Sequence, residues 1–285
     1  MTSQTAGRPH ITVGVDGSAH ADTALRWAAQ EAGARGLALR IVHCHLPLPI
    51  PGGRLIADAE ARNLLQHAEI TARAMTPAVD VTTVDATDVV GAALAAESET
   101  AAMLVVGSRG RGGFRSLLLG SSSLTTAAVA RCPVVVVREE RAGEDQPRDV
   151  VLGMDLRDTA ETVVRFAFEA AAARPGARLR VVHSWTRTGS LLEGGPVLDE
   201  AAIEDTVTRE LAEATAGWAE KYPQVPVLRT VTHDTAAAAL VEASAHAALT
   251  VVGRRTSGTS LGLHLGTAAH ATLLHAHGAI AVVPF

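Results

Sequence analysis

Residues 105–137, VVGSRGRGGFRSLLLGSSSLTTAAVARCPVVVV, carry the reading of the fold. An apolar run from Met103 ends on Gly107 and leads through Gly107-x2-Gly110-x9-Gly120-Ser121 into a helix-compatible stretch, then into an apolar strand at Pro133–Val137. Strand, glycine loop, helix and strand in succession describe one turn of a parallel α/β sheet. The same layout suits an anion. Glycine lets the backbone approach a phosphate closely and adopt a positive φ. A helix starting at Gly120 presents unpaired N–H groups and the positive end of its dipole. Arg109, Arg111 and Arg115 add attraction. An ordinary glycine-rich βα loop is the plainer alternative, and the combination of strand, spaced glycines, hydroxyl and helix favours the phosphate reading.

Outward from this stretch, the chain is written twice. LeuArgIleValHis at 39–43 returns as LeuArgValValHis at 179–183, Val13-Gly14-Val15-Asp16 as Leu152-Gly153-Met154-Asp155, and Val105-Val106-Gly107 as Val251-Val252-Gly253. The spacings drift only as loop insertions would make them, so the repeat is a whole domain. Residues 1–138 and 149–285 are the expected domains. Residues 139–148, charged and broken by Gly and Pro, are the expected linker.

In the first half, strands are expected at Ile11–Val15, Leu37–Cys44, Val79–Val84, Met103–Gly107 and Pro133–Val137. Helices are expected at Ala21–Ala34, Arg54–Met75, Val89–Glu97 and Ser121–Ala130. Near-continuous apolar strands alternating with helices argue for a parallel sheet covered on both faces. Right-handed crossovers make each half a doubly wound, Rossmann-like α/β domain. Ligands of such sheets bind beyond the carboxyl ends of the strands at a topological switch point. Asp16 and Gly107 both sit at such ends, so the sequence brings together two pieces that lie far apart along the chain.

The bulk properties narrow the classes. The chain has 285 residues, enough for about two domains of common size. At 47% hydrophobic and 19% charged it is globular, and 3% aromatic content leaves the core to Ala, Val and Leu. A net charge of -5 gives no overall attraction to nucleic acid or to an anionic membrane. No apolar run approaches the ~20 residues that span a bilayer. The polar start MTSQTAGRPH lacks a secretory leader. Cys44 and Cys132 lie in separate strand-like runs, which reads as inert buried thiols in a reducing, cytoplasmic setting.

Within the candidate site, Asp16 has two readings. Its carboxylate either accepts from a ribose, or holds water or Mg2+ beside phosphates, or it caps the following helix. Ser18 is read first as the cap. Gly107, Gly110, Gly120 and Ser121, with Ser122 weaker, would carry phosphates, and Arg109 and Arg111 would either pair with them or stay solvated. Adenine in a site of this type would be held by backbone groups near Cys44 at the end of the second strand.

Gly107-x2-Gly110-x9-Gly120-Ser121 after the fourth strand, Asp16 after the first, and the closing CysProValValValVal strand resemble the universal stress protein family, with one copy per half. The resemblance implies a five-stranded parallel sheet per domain in the order 3-2-1-4-5. It also implies ATP or a related adenine nucleotide as ligand, and stress or dormancy regulation through a protein partner. Family domains pair through the last strand, which implies an intramolecular pseudo-dimer of the two halves, with a homodimer of whole chains the other arrangement.

The second half departs from that pattern. Gly253, Gly266 and Thr267 match Gly107, Gly120 and Ser121, and Asp155 matches Asp16, but Thr256 stands where Gly110 does. A β-branched residue is disfavoured at positive φ. The first half is therefore expected to hold the competent site and the second, built from Asp155, Gly253, Gly266 and Thr267, a weaker one. A bulky residue at Gly120 is expected to abolish nucleotide binding, and the same change at Gly266 to matter little.

Other signals are bland. His264, His270, His275 and His277 lack the spacing of a ligand set, so no metal site is expected. His43 and His183 end equivalent strands and read as core histidines with satisfied hydrogen bonds. His67 reads as solvent-facing. No Gly-x4-Gly-Lys-Ser/Thr loop, Gly-x-Ser-x-Gly elbow or Cys/His metal spacing occurs. The expectation is a nucleotide switch with at most slow hydrolysis. An adenine-nucleotide hydrolase and a nucleotide-free scaffold are the alternatives.

Overall fold

The computed structural model describes residues 8–46, 50, 53–111, 118–138, 148–158, 160–185, 200–256 and 265–285. The chain divides into two compact units, the body of the first within residues 1–140 and that of the second within 141–256 and 265–283. The first unit runs β1 (His10–Val15), α1 (Ala19–Arg35), β2 (Ala38–Cys44), α2 (Gly53–Met75), β3 (Val81–Ala86), α3 (Val90–Glu97), β4 (Met103–Gly107), α4 (Ser121–Val129) and β5 (Val134–Val137). The second repeats it as β6 (Val150–Gly153), α5 (Glu161–Ala172), β7 (Leu179–Ser184), α6 (Glu200–Lys221), β8 (Val227–Thr232), α7 (Ala236–Ser244), β9 (Leu249–Arg254), α8 (Thr267–His275) and β10 (Ala279–Pro284).

In the first unit the strands lie in the order β3-β2-β1-β4-β5, and in the second β8-β7-β6-β9-β10. Strand β1 pairs in parallel with β2 on one side, Val13 opposite Ile41, and with β4 on the other, Val13 opposite Val105. The order reverses between β1 and β4, which leaves a crevice beyond their carboxyl ends. Both faces of the sheet are covered, so the central strands need no alternation: Ile11, Val13, Leu39, Ile41, Leu104 and Val105 are all buried. Phe168, fully buried, anchors the second unit by stacking on Trp218 and Tyr222 with ring centroids 6.1 and 5.8 Å away.

Local chemistry sets the element ends that matter. The Ser18 hydroxyl accepts the N–H of Ala21 at 3.2 Å and starts α1. Gly36, at φ 64°, closes α1 with its N–H on the last turn. The third strand begins later than its apolar run suggests. The N–H of Val79 closes a turn on the Thr76 carbonyl (3.0 Å) while its buried side chain serves the core from outside the strand. Among the described residues, no helix is long and apolar enough to cross a membrane.

Candidate functional site

Asp16 leaves the end of β1 and uses both carboxylate oxygens on backbone. Its Oδ1 accepts the N–H of Ser18 (3.0 Å), and its Oδ2 accepts the N–H of Arg111 (2.8 Å) in the loop after β4. Ser18, not Asp16, caps α1, which leaves Asp16 as the tie between the two strand ends. Gly110 is the residue that permits this tie. A Cβ there would fall 2.6 Å from Asp16 Oδ2. Each carboxylate oxygen keeps lone-pair capacity beyond these bonds, enough to accept a hydroxyl as well.

Gly107 is required for a similar reason. A Cβ on it would lie 2.7 Å from the carbonyl carbon and oxygen of His20, because the first turn of α1 rests on the end of β4. Neither Gly107 nor Gly110 has a left-handed φ, and Gly120 sits at φ -75°, ψ 147°. The expected positive φ is therefore absent, and what these loops need is the missing Cβ. Gly120 donates its N–H to the Ser108 carbonyl (2.8 Å), which seats the start of α4 against the loop. As the N-cap it offers no side-chain acceptor, so the first N–H groups of α4 have no cap. Ser121 and Ser122 are exposed at that opening. Buried Ser123, which sequence reasoning passed over, donates from Oγ to the Gly107 carbonyl at 2.7 Å and pins α4 to β4.

Two arginines, Arg109 after β4 and Arg138 after β5, lie at the carboxyl edge of the sheet here. Burial lowers the pKa of Arg138, and the charge of Arg109 lowers it further, so two guanidinium groups influence one another here. Arg138, the last residue of the first expected domain, directly follows β5 at the carboxyl edge of the sheet. Arg111 turns another way. Its guanidinium lies over Gly17, where a Cβ would fall 2.7 Å from it. At the end of β2, Cys44 is half-buried and its thiol is pushed up to about 11, first by burial and then by Glu97, Asp88 and Asp85. His43 and His183 occupy equivalent positions, with Nδ1 on the carbonyls of Val15 (2.7 Å) and Met154 (2.9 Å). Each is a core histidine with a satisfied hydrogen bond, the Nδ1 carrying the proton that the carbonyl accepts.

The second unit keeps one of these contacts and departs from the others. Asp155 Oδ1 accepts the N–H of Arg157 (3.0 Å), as Asp16 does for Ser18. Thr256, at the position of Gly110, donates both its N–H (2.7 Å) and its hydroxyl (2.8 Å) to the Phe285 carbonyl, which ties it to the residue after β10. Gly253 faces the Phe285 ring, whose nearest carbon would lie 2.7 Å from a Cβ, where Gly107 faces helix backbone. Arg255 is engaged by Asp158 in an ion pair. Gly266 adopts φ 63°, ψ 150°, unlike Gly120. Side chains take the place of helix backbone at Gly253, and a cavity of about 520 Å³ opens there, lined by Met154, Asp155, Val163, Leu240, Gly266 and Phe285 among others. That volume lies in the range of small-molecule sites.

Arg115 and His264 lie outside the described residues. Among the described residues, His270, His275 and His277 join no cluster of metal-ligating groups. His67 is exposed on α2.

Comparison with known proteins adds the family. The sequence model of the Universal stress protein family matches residues 7–138 and again residues 147–284. A universal stress protein of Mycolicibacterium smegmatis is 35% identical over 276 residues, covering 93% of each chain. One from Mycobacterium tuberculosis is 35% identical over 277 residues, covering 92% of each. The crystal structure of a universal stress protein from Archaeoglobus fulgidus has the same fold, with a TM-score of 0.71 over 96% of this chain and 98% of that one, at 17% identity. Both halves match the family model and relatives align along nearly the whole length, so this chain belongs to the universal stress protein family and carries two of its domains in tandem.

Proposed function

We propose that the first unit binds ATP or a related adenine nucleotide and that the protein acts as a nucleotide-dependent regulator in a stress or dormancy response. The observation that carries this reading is the uncapped start of α4, seated by Gly120 against the Ser108–Arg109 backbone and flanked by the mutually repelling Arg109 and Arg138. A chain of phosphates would satisfy the helix N–H groups and relieve the like-charge pair together. Asp16, at the end of the neighbouring strand, would meet the ribose or a phosphate-bound Mg2+. Backbone near Cys44 would meet the base.

Regulation is favoured over turnover. Phosphoryl transfer wants a positioned base and a cation clamp. The Asp16 carboxylate already holds two backbone N–H groups. In the second unit, Thr256, Phe285 and the Arg255–Asp158 pair occupy the phosphate-facing positions, so nucleotide there would be weaker.

The test is the adenine-nucleotide content of purified, heat-denatured protein, read by chromatography and mass spectrometry, followed by titration of nucleotide-free protein with ATP. One equivalent per chain is expected. Two would mean that the second unit binds as well, and no binding in either experiment would leave the scaffold reading. Multiple-turnover ATP consumption above that of a Gly110→Ala variant would make the protein a hydrolase.

A further inference from the structure

We propose that His45, Asp58 and Asp85 form a binding site for one divalent transition-metal ion, of which Zn2+ is the probe. The site stands apart from the glycine loop and does not depend on the nucleotide reading.

Three elements build it. Strands β2 and β3 run parallel with His43 opposite Asp85, so the two side chains share a face of the sheet. His45 comes two residues after His43 and returns to that face, its ring stacked on that of His43 at 5.8 Å. Helix α2 packs over β2 and β3 and contributes Asp58 near its start. One imidazole nitrogen and two carboxylate oxygens converge so that all three lie within 4.8 Å of one another.

The distances suit a shared ion. Two ligand atoms each about 2.1 Å from a tetrahedral metal lie roughly 3.4 Å apart. His45 Nε2 stands 2.9 Å from Asp85 Oδ1 and 3.9 Å from Asp58 Oδ1, on either side of that value. A direct hydrogen bond does not account for the arrangement. Both ring nitrogens of His45 are shut off from solvent, yet neither makes a hydrogen bond, because the close Asp85 oxygen lies off the axis of the ring N–H. That placement is natural around a metal, where neighbouring ligands flank the nitrogen lone pair instead of sitting on it. The imidazole is nearly buried, at 11% exposure, whereas Asp58 and Asp85 are about a third exposed, so an ion can enter from the carboxylate side and keep water ligands. The nearby cation is Arg54, 3.9 Å from the other oxygen of Asp58 and largely in solvent, where it is free to swing aside.

The donor set points to the class of ion. One nitrogen and two oxygens suit zinc and its neighbours, whereas calcium and magnesium are held by oxygen alone. His45 was invisible as a ligand in the sequence, because its partners come from a helix and a strand elsewhere in the chain.

The test uses the full chain, stripped with a chelator and free of nucleotide. Zn2+ is titrated in competition with a chromogenic chelator. One tight equivalent is expected, and His45→Ala is expected to weaken it by about 100-fold or more and Asp85→Asn by at least about 10-fold. Circular dichroism confirms that the variants are folded. Asp85→Asn keeps the size and shape of the side chain and so guards against a merely unfolded His45→Ala. Gly110→Ala, in the glycine loop, is expected to keep the equivalent. The proposal is overturned if the parent takes up no tight equivalent, or if His45→Ala and Asp85→Asn bind Zn2+ as the parent does.

Discussion

Asp16 Oδ2 accepts the backbone N–H of Arg111 at 2.8 Å across 95 positions of sequence, and Gly110 makes room for that bond. The tie holds the glycine loop against the end of β1, where the nucleotide would lie. A methyl group on Gly110 would sit 2.6 Å from the same oxygen and force the carboxylate off the Arg111 N–H. Gly110→Ala is therefore expected to weaken ATP binding by at least about tenfold, roughly 1.4 kcal/mol. The lost hydrogen bond at this partly exposed site costs about 1 kcal/mol of stability. Calorimetric titration checks it, and an affinity within twofold of the parent would refute the role given to this bond.

Arg138 makes a second handle on the same site. Its charge is held beside that of Arg109 and is partly desolvated, and both effects push its pKa down. An anion that neutralises the pair would gain more from two charges than from one. Arg138→Gln is expected to lower ATP affinity by about tenfold and to flatten its dependence on salt. The effect is readable as stability. ATP at 100 times the parent Kd stabilises the parent by about 2.7 kcal/mol, but a variant with tenfold weaker binding by only about 1.4 kcal/mol. Denaturant unfolding with and without ATP measures both values. Equal stabilisation of parent and variant would remove Arg138 from the site.

Cys132 gives a prediction on the pH scale. Its thiol is buried, at 6% exposure, and burial pushes it up to about 12 from an ordinary 9.0. A raised pKa on an acid means that the folded chain keeps a proton that the unfolded chain loses. Its neutral form therefore costs nothing below pH 9, and stability falls as pH rises from 9 towards 12. The parent is expected to lose about 1 kcal/mol more per pH unit in that window than Cys132→Ala. Titrations common to both proteins cancel in the difference. Parallel stability curves would mean that the thiol ionises while folded.

The sequence announced the strands and helices because both sheet faces are covered: runs such as Ile11–Val15 and Val134–Val137 are dominated by buried apolar residues, with no alternation of polar ones. It also announced where elements meet, since Gly107, Gly110 and Gly120 mark those junctions. It could not say why they are glycines. A glycine kept for a left-handed φ and one kept for lack of a Cβ look alike in one dimension, and here Gly107 and Gly110 are of the second kind. Ser123 was hidden among three consecutive serines, because only the rotation of α4 decides which hydroxyl meets the Gly107 carbonyl. Arg138 was hidden by the charged run that follows it. The cavity of the second unit was illegible because it depends on Phe285 and Val163 standing at Gly253, positions that no motif links.

The matched pair Gly120 and Gly266 separates binding from folding. Gly120 has ordinary extended backbone, and a Cβ there would meet nothing closer than 3.5 Å, so a side chain can start from it without backbone strain. Its side chain would nevertheless stand at the uncapped start of α4, where phosphates would approach. Gly120→Leu is therefore expected to leave stability within about 0.5 kcal/mol of the parent and to abolish ATP binding. Gly266 has open space around it, but its φ of 63° with ψ of 150° lies in a region almost reserved for glycine. A side chain there costs about 1–3 kcal/mol. Gly266→Leu is expected to destabilise the second unit by that amount while one equivalent of ATP still binds. Denaturant unfolding and ATP titration of both variants make a two-by-two comparison. Loss of binding at both positions would give the second unit an equal share in nucleotide recognition. Strain at Gly120 instead of Gly266 would mean that the two helix starts have been told apart wrongly.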